Sequence, residues 1–229
     1  GICVFTYVMN RTENIKNNIH SWLSQKIDQL IILDWNSTNE FYDYINHIND
    51  HRIMYVRVFD EEIFMRTHAQ NLAARICRYN KICKIDSDIK LLPHFFENHQ
   101  LNEHEFYVGE WRTARNENEK HIHGNIYLNL QDYMHVNGYN EFIKTYGHED
   151  TDLTIRLMLS GLHKKIINYD FIYHVPHCDV RRTEHLKTTL RPEELTITHR
   201  ECALKTELWN KKFNMQEYNI IKKLDNYIL

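Results

Sequence analysis

The stretch Lys81-Ile-Cys-Lys-Ile-Asp-Ser-Asp-Ile-Lys-Leu-Leu-Pro93 organises the chain. Ile82 to Ile85 read as a short buried strand that runs straight into Asp86-Ser87-Asp88. In extended backbone, residues i and i+2 share a side, so Asp86 and Asp88 should project together while Ser87 faces away. Two carboxylates held this close are costly unless something positive lies between them. A divalent Mn²⁺ or Mg²⁺ ion with positions open for phosphate oxygens suits such oxygen ligands. The plainer reading makes both acids turn and cap residues. Pro93 then suits the first turn of a helix running to His99.

Back toward the N-terminus, Ile2 to Met9 is a near-continuous apolar run, as in a strand covered on both faces. Thr12 is placed as the N-cap of a helix on which Ile15, Ile19, Trp22 and Leu23 recur at helical spacing. Leu30 to Leu33 is the next strand and ends in Asp34. Ser37-Thr38-Asn39-Glu40 has the form of a capping box, with Phe41, Tyr44, Ile45 and Ile48 along the helix it opens. Ile53 to Phe59 is a third strand. Thr67-His68-Ala69-Gln70 is a second capping box, with Leu72, Ala73, Ile76 and Cys77 inward. Strand and helix three times, then a strand, is the pattern of a doubly wound α/β sheet. Such sheets bind ligands at the carboxyl ends of their strands, where Arg11, Asp34, Arg66, His68 and Asp86 all fall. No G-x-G-x-x-G follows the first strand and no G-x-x-x-x-G-K-[ST] occurs, so a glycine-loop dinucleotide or P-loop site is not supported.

Beyond Pro93, Phe106 to Trp111 and Asn125 to Leu130 read as strands flanking a polar loop, Arg112 to His123. A turn cluster, Val136 to Asn140, precedes Tyr146-Gly147-His148-Glu149-Asp150-Thr151-Asp152, which leads a helix. Acids there interact well with the helix dipole. A functional reading makes Asp150 the general base beside a reacting hydroxyl, and Asp152 a cap or solvent-facing residue. Ile166 to Tyr173 is a last strand, ending in His174-Val175-Pro176-His177, a spacing compatible with a metal pair. Arg181 and Arg182 could clamp phosphate or simply lie on the surface. Trp111, Tyr139 and Tyr146 offer flat faces to a sugar or belong to the core. From Pro192 the chain reads as helical to its end, through Leu208, Trp209, Ile220, Ile221 and Leu224.

The 229 residues carry a net charge of −3 with both signs interspersed, which argues against nucleic acid as a partner. No apolar run has the length of a membrane span, and no secretory signal is visible. Five scattered cysteines without a C-x-x-C pair suit a reducing compartment, with one or two disulfides as the alternative, and the location is read as cytoplasmic or unassigned. The reading is one α/β unit over residues 1–190, divided into a nucleotide-binding half (1–93) and an acceptor half (94–190). A helical extension (191–229) packs on it and is compatible with a homodimer. Because Gly1 enters a strand at once, the chain is expected to be part of a longer polypeptide.

In order along the chain, N-R after the first strand, Asp34 after the second, H-A-Q-N-L-A-A-R, I-D-S-D-I-K-L-L-P, N-G-Y-N-E, Y-G-H-E-D-T-D-L and a late Y-H form one series. It resembles the GT-A-fold glycosyltransferases, broadly family 2 and family 7, of the beta-1,4-galactosyltransferase and chondroitin-polymerase type. The resemblance spans roughly residues 2 to 182 and rests on the ordered pair of D-x-D and acidic G-x-E-D motifs. It implies a UDP-sugar donor held near Asn10, Arg11, Asp34, Arg66 and His68, with Asn71, Asp86, Ser87 and Arg181 also on the donor. It implies Mn²⁺ or Mg²⁺ on Asp86, Asp88 and His174, with His177 as substitute. It places the acceptor glycan against Trp111, Gly124, Asn125, Tyr146 and Glu149, with Asp150 as base in an inverting transfer. The chain departs from the family's W-G-W-G at Thr145-Tyr146-Gly147-His148, which leaves the acceptor open. A sugar-phosphate nucleotidyltransferase and a non-catalytic carbohydrate-binding domain are the alternatives. The first usually carries a glycine-rich early loop, and no glycine lies between Gly1 and Gly109.

Overall fold

The computed structural model describes residues 1–143, 146–176 and 220–223. The element order begins β1 (Ile2–Val8), α1 (Thr12–Leu23), β2 (Gln29–Trp35), α2 (Asn39–Asn46), β3 (Ile53–Val58), α3 (Arg66–Arg75) and β4 (Lys81–Lys84). These four strands are parallel, in the spatial order β3-β2-β1-β4. The chain therefore lays strands outward from β1 and then returns to its other side. The switch falls between β1 and β4, where the segments that follow the two strands diverge and leave a crevice.

The continuous apolar run of β1 follows from cover on both faces. Cys3, Phe5, Tyr7 and Met9 join one core with Ala69, Leu72 and Ala73 of α3. Val4 and Val8 join the other with Ile15, Ile19 and Trp22 of α1 and Ile45 of α2. Period-2 alternation in the strand and helical period in the cover thus meet on each face.

The second half is built differently. It comprises β5 (Ile89–Leu91), the short α4 (Phe95–Asn98), β6 (Glu105–Val108), α5 (Glu117–Lys120), β7 (Ile126–Asn129), α6 (Leu130–His135), α7 (Glu149–Leu159), β8 (His163–Ile166) and β9 (Ile172–His174). Strand β7 joins the main sheet antiparallel to β4, β6 lies antiparallel to β7, and β8 runs parallel to β6. β5 and β9 form a separate antiparallel pair that sets Ile89 opposite His174.

Several local expectations are corrected. Neither capping box caps a helix. Helix α2 follows Thr38, whose side chain makes no capping bond, and Ser37 Oγ instead accepts the Asn10 N–H at 2.8 Å. Helix α3 begins at Arg66, so Thr67 is inside it and its hydroxyl donates to Ile143 O at 2.8 Å. Tertiary partners in both cases outcompete the local cap. Thr12 is the first helical residue, with Arg11 at the cap position. The helix after Pro93 is a single turn that starts at Phe95. The strand expected over Ile166 to Tyr173 is broken by a 3₁₀ turn at Tyr169–Phe171 into β8 and β9. The polar loop holds a 3₁₀ turn at Trp111–Thr113 as well as α5. Asp152 is fully buried rather than solvent-facing, paired with Arg156 at 2.6 Å.

In the expected helical tail, Ile220–Lys223 forms a strand, β10, antiparallel to β3 at the edge of the sheet. The rest of that tail lies outside the described residues. Among the described residues, no helix is long and apolar enough to cross a membrane.

Candidate active site

The crevice at the β1–β4 switch is a cavity of about 510 Å³. Met9 and Arg11 reach it from the end of β1, and Asp86, Ser87 and Asp88 from the end of β4. Arg66 comes from the start of α3, while Tyr146 to Thr151 come from the loop and first turn of α7. Trp111, Arg112, Lys120, His121 and His123 form the opposite wall. The alternation expected between Asp86 and Asp88 is not what the backbone provides. β4 ends at Lys84 and the chain turns at Ser87, so Ser87 lines the cavity with both acids.

The i, i+2 relation instead pairs Lys84 with Asp86, and this is the feature that the sequence reading missed. Lys84 is 0 % exposed. Its ammonium Nζ lies 2.9 Å from Asp86 Oδ1 and 3.6 Å from Asp150 Oδ1, and donates to Gly124 O at 3.2 Å. An isolated buried charge would be prohibitive; here one cation is shared by two carboxylates. The signal was available as a lysine inside an otherwise apolar strand, Ile82-Cys-Lys-Ile85.

A second, half-buried cation sits alongside. Arg66 pairs with Glu149 at 3.2 Å, donates to Tyr7 Oη at 3.1 Å, and lies over the rings of Tyr7 and Tyr146. Tyr7 donates in turn to Asp86 at 3.2 Å and accepts from Gln70 at 2.8 Å. Burial alone would push Asp86 upward, but Lys84 and Arg66 more than offset it and hold the acid below its ordinary pKa. For Asp150 burial prevails and its pKa is raised, with Lys84 opposing and Glu149 and Asp86 reinforcing the rise. The two acids therefore sit in one network with opposite protonation tendencies, a separation useful for acid–base work.

Asp150 is placed by two further groups. Tyr139 donates to its Oδ1 at 3.0 Å. Gly124 (φ +87°) passes directly beneath, where a Cβ would come within 2.2 Å of Asp150 Oδ2. Glu149 is buried, with Arg66 on one oxygen and the Gly147 N–H on the other at 2.8 Å.

Asp88 and His174 meet because β5 pairs with β9. Val175 N–H donates to Asp88 O at 2.7 Å, and Asp88 Oδ2 lies 3.7 Å from His174 Nε2. The His121 ring stacks on that of His174 at 4.6 Å. Among the described residues, no three or more His, Cys, Asp or Glu side chains already form a cation cage. Asp86 Oδ1 faces Lys84 and the Tyr7 hydroxyl.

Other expected residues stand as follows. Arg11, Arg66, Ser87, Trp111 (47 % exposed) and Tyr146 are on the cavity wall. Asp34 is fully buried and not on it; it accepts the Ser37 N–H at 2.7 Å and the Tyr55 hydroxyl. Asn10 braces the turn after β2 through Thr38 N–H at 3.1 Å. His68 faces Glu141 at 3.7 Å, off the cavity. Asn71 is fully buried and holds the 137–141 turn, bonding both the N–H and the carbonyl of Tyr139. Gly124 and Asn125 are buried behind the acids, and Asn125 Oδ1 accepts the Asp86 N–H at 2.8 Å. Arg181 and His177 lie outside the described residues.

Residues 109–187 match the family described as the N-terminal domain of galactosyltransferase. The catalytic domain of Drosophila beta1,4-galactosyltransferase 7, crystallised with xylobiose, superposes with a TM-score of 0.64 at 12 % identity, over 98 % of this chain and 94 % of that one. GalNAc-T7 with UDP, GalNAc and Mn²⁺ gives 0.66 at 10 % identity, over 89 % of this chain and 48 % of that one.

The chain has the GT-A glycosyltransferase fold.

S. aureus TarS (residues 1–349) shares this GT-A fold with a TM-score of 0.59 at 12 % identity, over 76 % of this chain and 60 % of that one. Comparison with curated protein sequences finds no match. The galactosyltransferase match begins at Gly109 and takes in Trp111, Gly124, Glu149, Asp150 and His174. It therefore covers the second-half wall of the cavity, while β1, α3 and β4 supply the other.

Proposed function

We propose that this GT-A chain is a cation-dependent, inverting glycosyltransferase that moves a hexose or N-acetylhexosamine from a UDP-sugar to a hydroxyl of a glycan acceptor. The observation that carries the reading is Asp150 at the first turn of α7. It lies on the cavity wall, facing Lys84 at 3.6 Å, in the same cavity as Asp86 and Asp88. Neighbours of the same fold, crystallised with UDP, GalNAc and Mn²⁺ or with xylobiose, support the substrate classes.

The donor set fits a divalent ion. Asp88 and His174 contribute a carboxylate oxygen and an imidazole nitrogen 3.7 Å apart and would be the residues to hold it. Such an ion, when bound, supplies Lewis-acid compensation for the charge that grows on the departing diphosphate. The protein's own residues do the remainder. Arg11 and Ser87 line the side of the cavity near Asp88 and would orient the diphosphate. Trp111 and Tyr146 present faces against which an acceptor sugar can stack. Glu149, fixed by Arg66, accepts a hydrogen bond from an acceptor hydroxyl. Asp150 takes the proton of the attacking hydroxyl, and its raised pKa makes it a stronger base than an ordinary carboxylate. Attack from the face opposite the diphosphate inverts the anomeric centre.

The test combines thermal shift with initial rates for UDP and UDP-sugars, with and without Mn²⁺. UDP should raise the melting temperature in a Mn²⁺-dependent way that Asp88→Ala weakens. Asp150→Asn should bind UDP normally and transfer sugar about 10²–10⁴-fold more slowly. Transfer at parental rates by Asp150→Asn would remove the base assignment. Failure of every uridine nucleotide to bind would remove the donor class.

A further inference from the structure

Lys84 has no role of its own in the chemistry described so far, yet its charge is fully buried. Its whole side chain is buried, on the face of β4 that looks toward α3 and α7. Every polar neighbour of its ammonium belongs to the site: Asp86 at 2.9 Å, Asp150 at 3.6 Å and the Gly124 carbonyl at 3.2 Å, with the Tyr7 ring 5.5 Å away. A lysine kept only for packing would gain nothing from this surrounding, since an apolar side chain of similar volume would fill the same space without loss of hydration. The three neighbours come from three separate elements: the end of β4, the turn before β7 and the first turn of α7. One ammonium thus links the first turn of α7 to the end of β4 and the turn before β7, two segments that the β4–β7 pairing and the Asp86 N–H bond to Asn125 Oδ1 already hold together.

We propose that Lys84 is a positioning residue for sugar transfer, an internal cation that fixes the carboxylates of Asp86 and Asp150 against each other across the floor of the cavity. The inference rests on the reading of Asp150 as the base. Lys84 does not line the cavity, so it acts through the two acids and not on substrate. The ammonium offsets the repulsion between two carboxylates converging on one point, and by bonding the Gly124 carbonyl it also holds the backbone over which Asp150 Oδ2 lies. Without it, the acids lose the group that both face, and the reacting oxygen of Asp150 is no longer held in register with the acceptor. A displacement of about 1 Å at a reacting group is enough to lower turnover about 100-fold. The pair made by Asp88, just before β5, and His174, on β9, is not among the partners of Lys84, so donor binding should survive.

The deciding measurement is the split between kcat and donor KM in Lys84→Met, which keeps the length and removes the charge. The expected result is a fall in kcat of about 100-fold, with donor KM and the UDP dissociation constant within about threefold of the parent. Lys84→Gln, which retains a donor without charge, should recover part of that loss. It also serves as the test variant if Lys84→Met does not fold. A folded Lys84→Met with parental kcat would overturn the proposal. So would a parallel loss of UDP binding in both variants, which would make Lys84 a general structural element. Transfer by Asp150→Asn separates the two levels. If Asp150→Asn is active, the base reading fails; if it is inactive while Lys84→Met is active, only the present inference fails.

Discussion

Asp34 and Asp86 lie at the ends of the two strands that flank β1; Asp34 is fully buried and Asp86 half-buried, and their surroundings give them opposite tasks. Asp34 is sealed by its own loop: the Ser37 N–H and the Tyr55 hydroxyl satisfy it, and Arg57 Nε is 3.7 Å away. Burial is the largest influence on it and its pKa is raised. Asp86 faces the cavity with Lys84 and Arg66 beside it, and its pKa is lowered. The difference lies in what crosses the strand end. After β2 the chain folds back as the 36–38 turn and covers its acid. At the β1–β4 switch the following segments diverge, so the acid there must be balanced by cations from elsewhere in the fold.

Paired substitutions are the most direct way to break this comparison. Asp86→Asn should reduce transfer about 100-fold, because it removes a carboxylate that Lys84 and Tyr7 both face. Asp34→Asn should leave kcat within about threefold and lower stability by about 1–2 kcal/mol through its weakened hydrogen bonds. Initial rates and urea unfolding measured side by side would check both. Equal kinetic losses would put Asp34 on the donor, as the resemblance implies.

A smaller effect sharpens the same contrast between covering and presenting. Asn71 is placed on the donor by resemblance, but its four hydrogen bonds go to Tyr139, Tyr133 and Glu141. Asn71→Ala should therefore cost about 3 kcal/mol in unfolding free energy, with donor KM unchanged at temperatures where the protein stays folded. The smallest effect belongs to Thr38, whose side chain makes no cap bond. Thr38→Ala should change the unfolding free energy by no more than about 0.5 kcal/mol, well below the loss of a working cap.

The first ninety residues were legible because their signals are local. In β1 both faces are covered, so the run is apolar throughout; in α1 one face is covered, so Ile15, Ile19 and Trp22 recur at helical spacing. The second half was less legible. β9 is three residues long and exists because β5 is there to pair with it, and no propensity in Ile172-Tyr-His174 specifies that partner. The capping boxes misled for a related reason. Ser37 and Thr67 have hydroxyls that suit a cap, but a distant N–H and a distant carbonyl reach them first.

For the candidate site, the sequence by itself determined which residue types arrive at strand ends. Asp86, Asp88, Arg66, Glu149 and Asp150 could all be named from motif order and strand–helix alternation, because these depend on neighbours along the chain. Only the tertiary structure decided which of them share a cavity and what each one faces. It gave Asp34, His68 and Asn71 partners outside the lining of this cavity, drew Asp88 to His174 through the pairing of β5 with β9, and set Lys84 between Asp86 and Asp150. The physical reason is the range of the forces. Burial patterns and turn preferences are written in adjacent residues, whereas the charge balance of a buried acid depends on cations that sequence separation does not bring near.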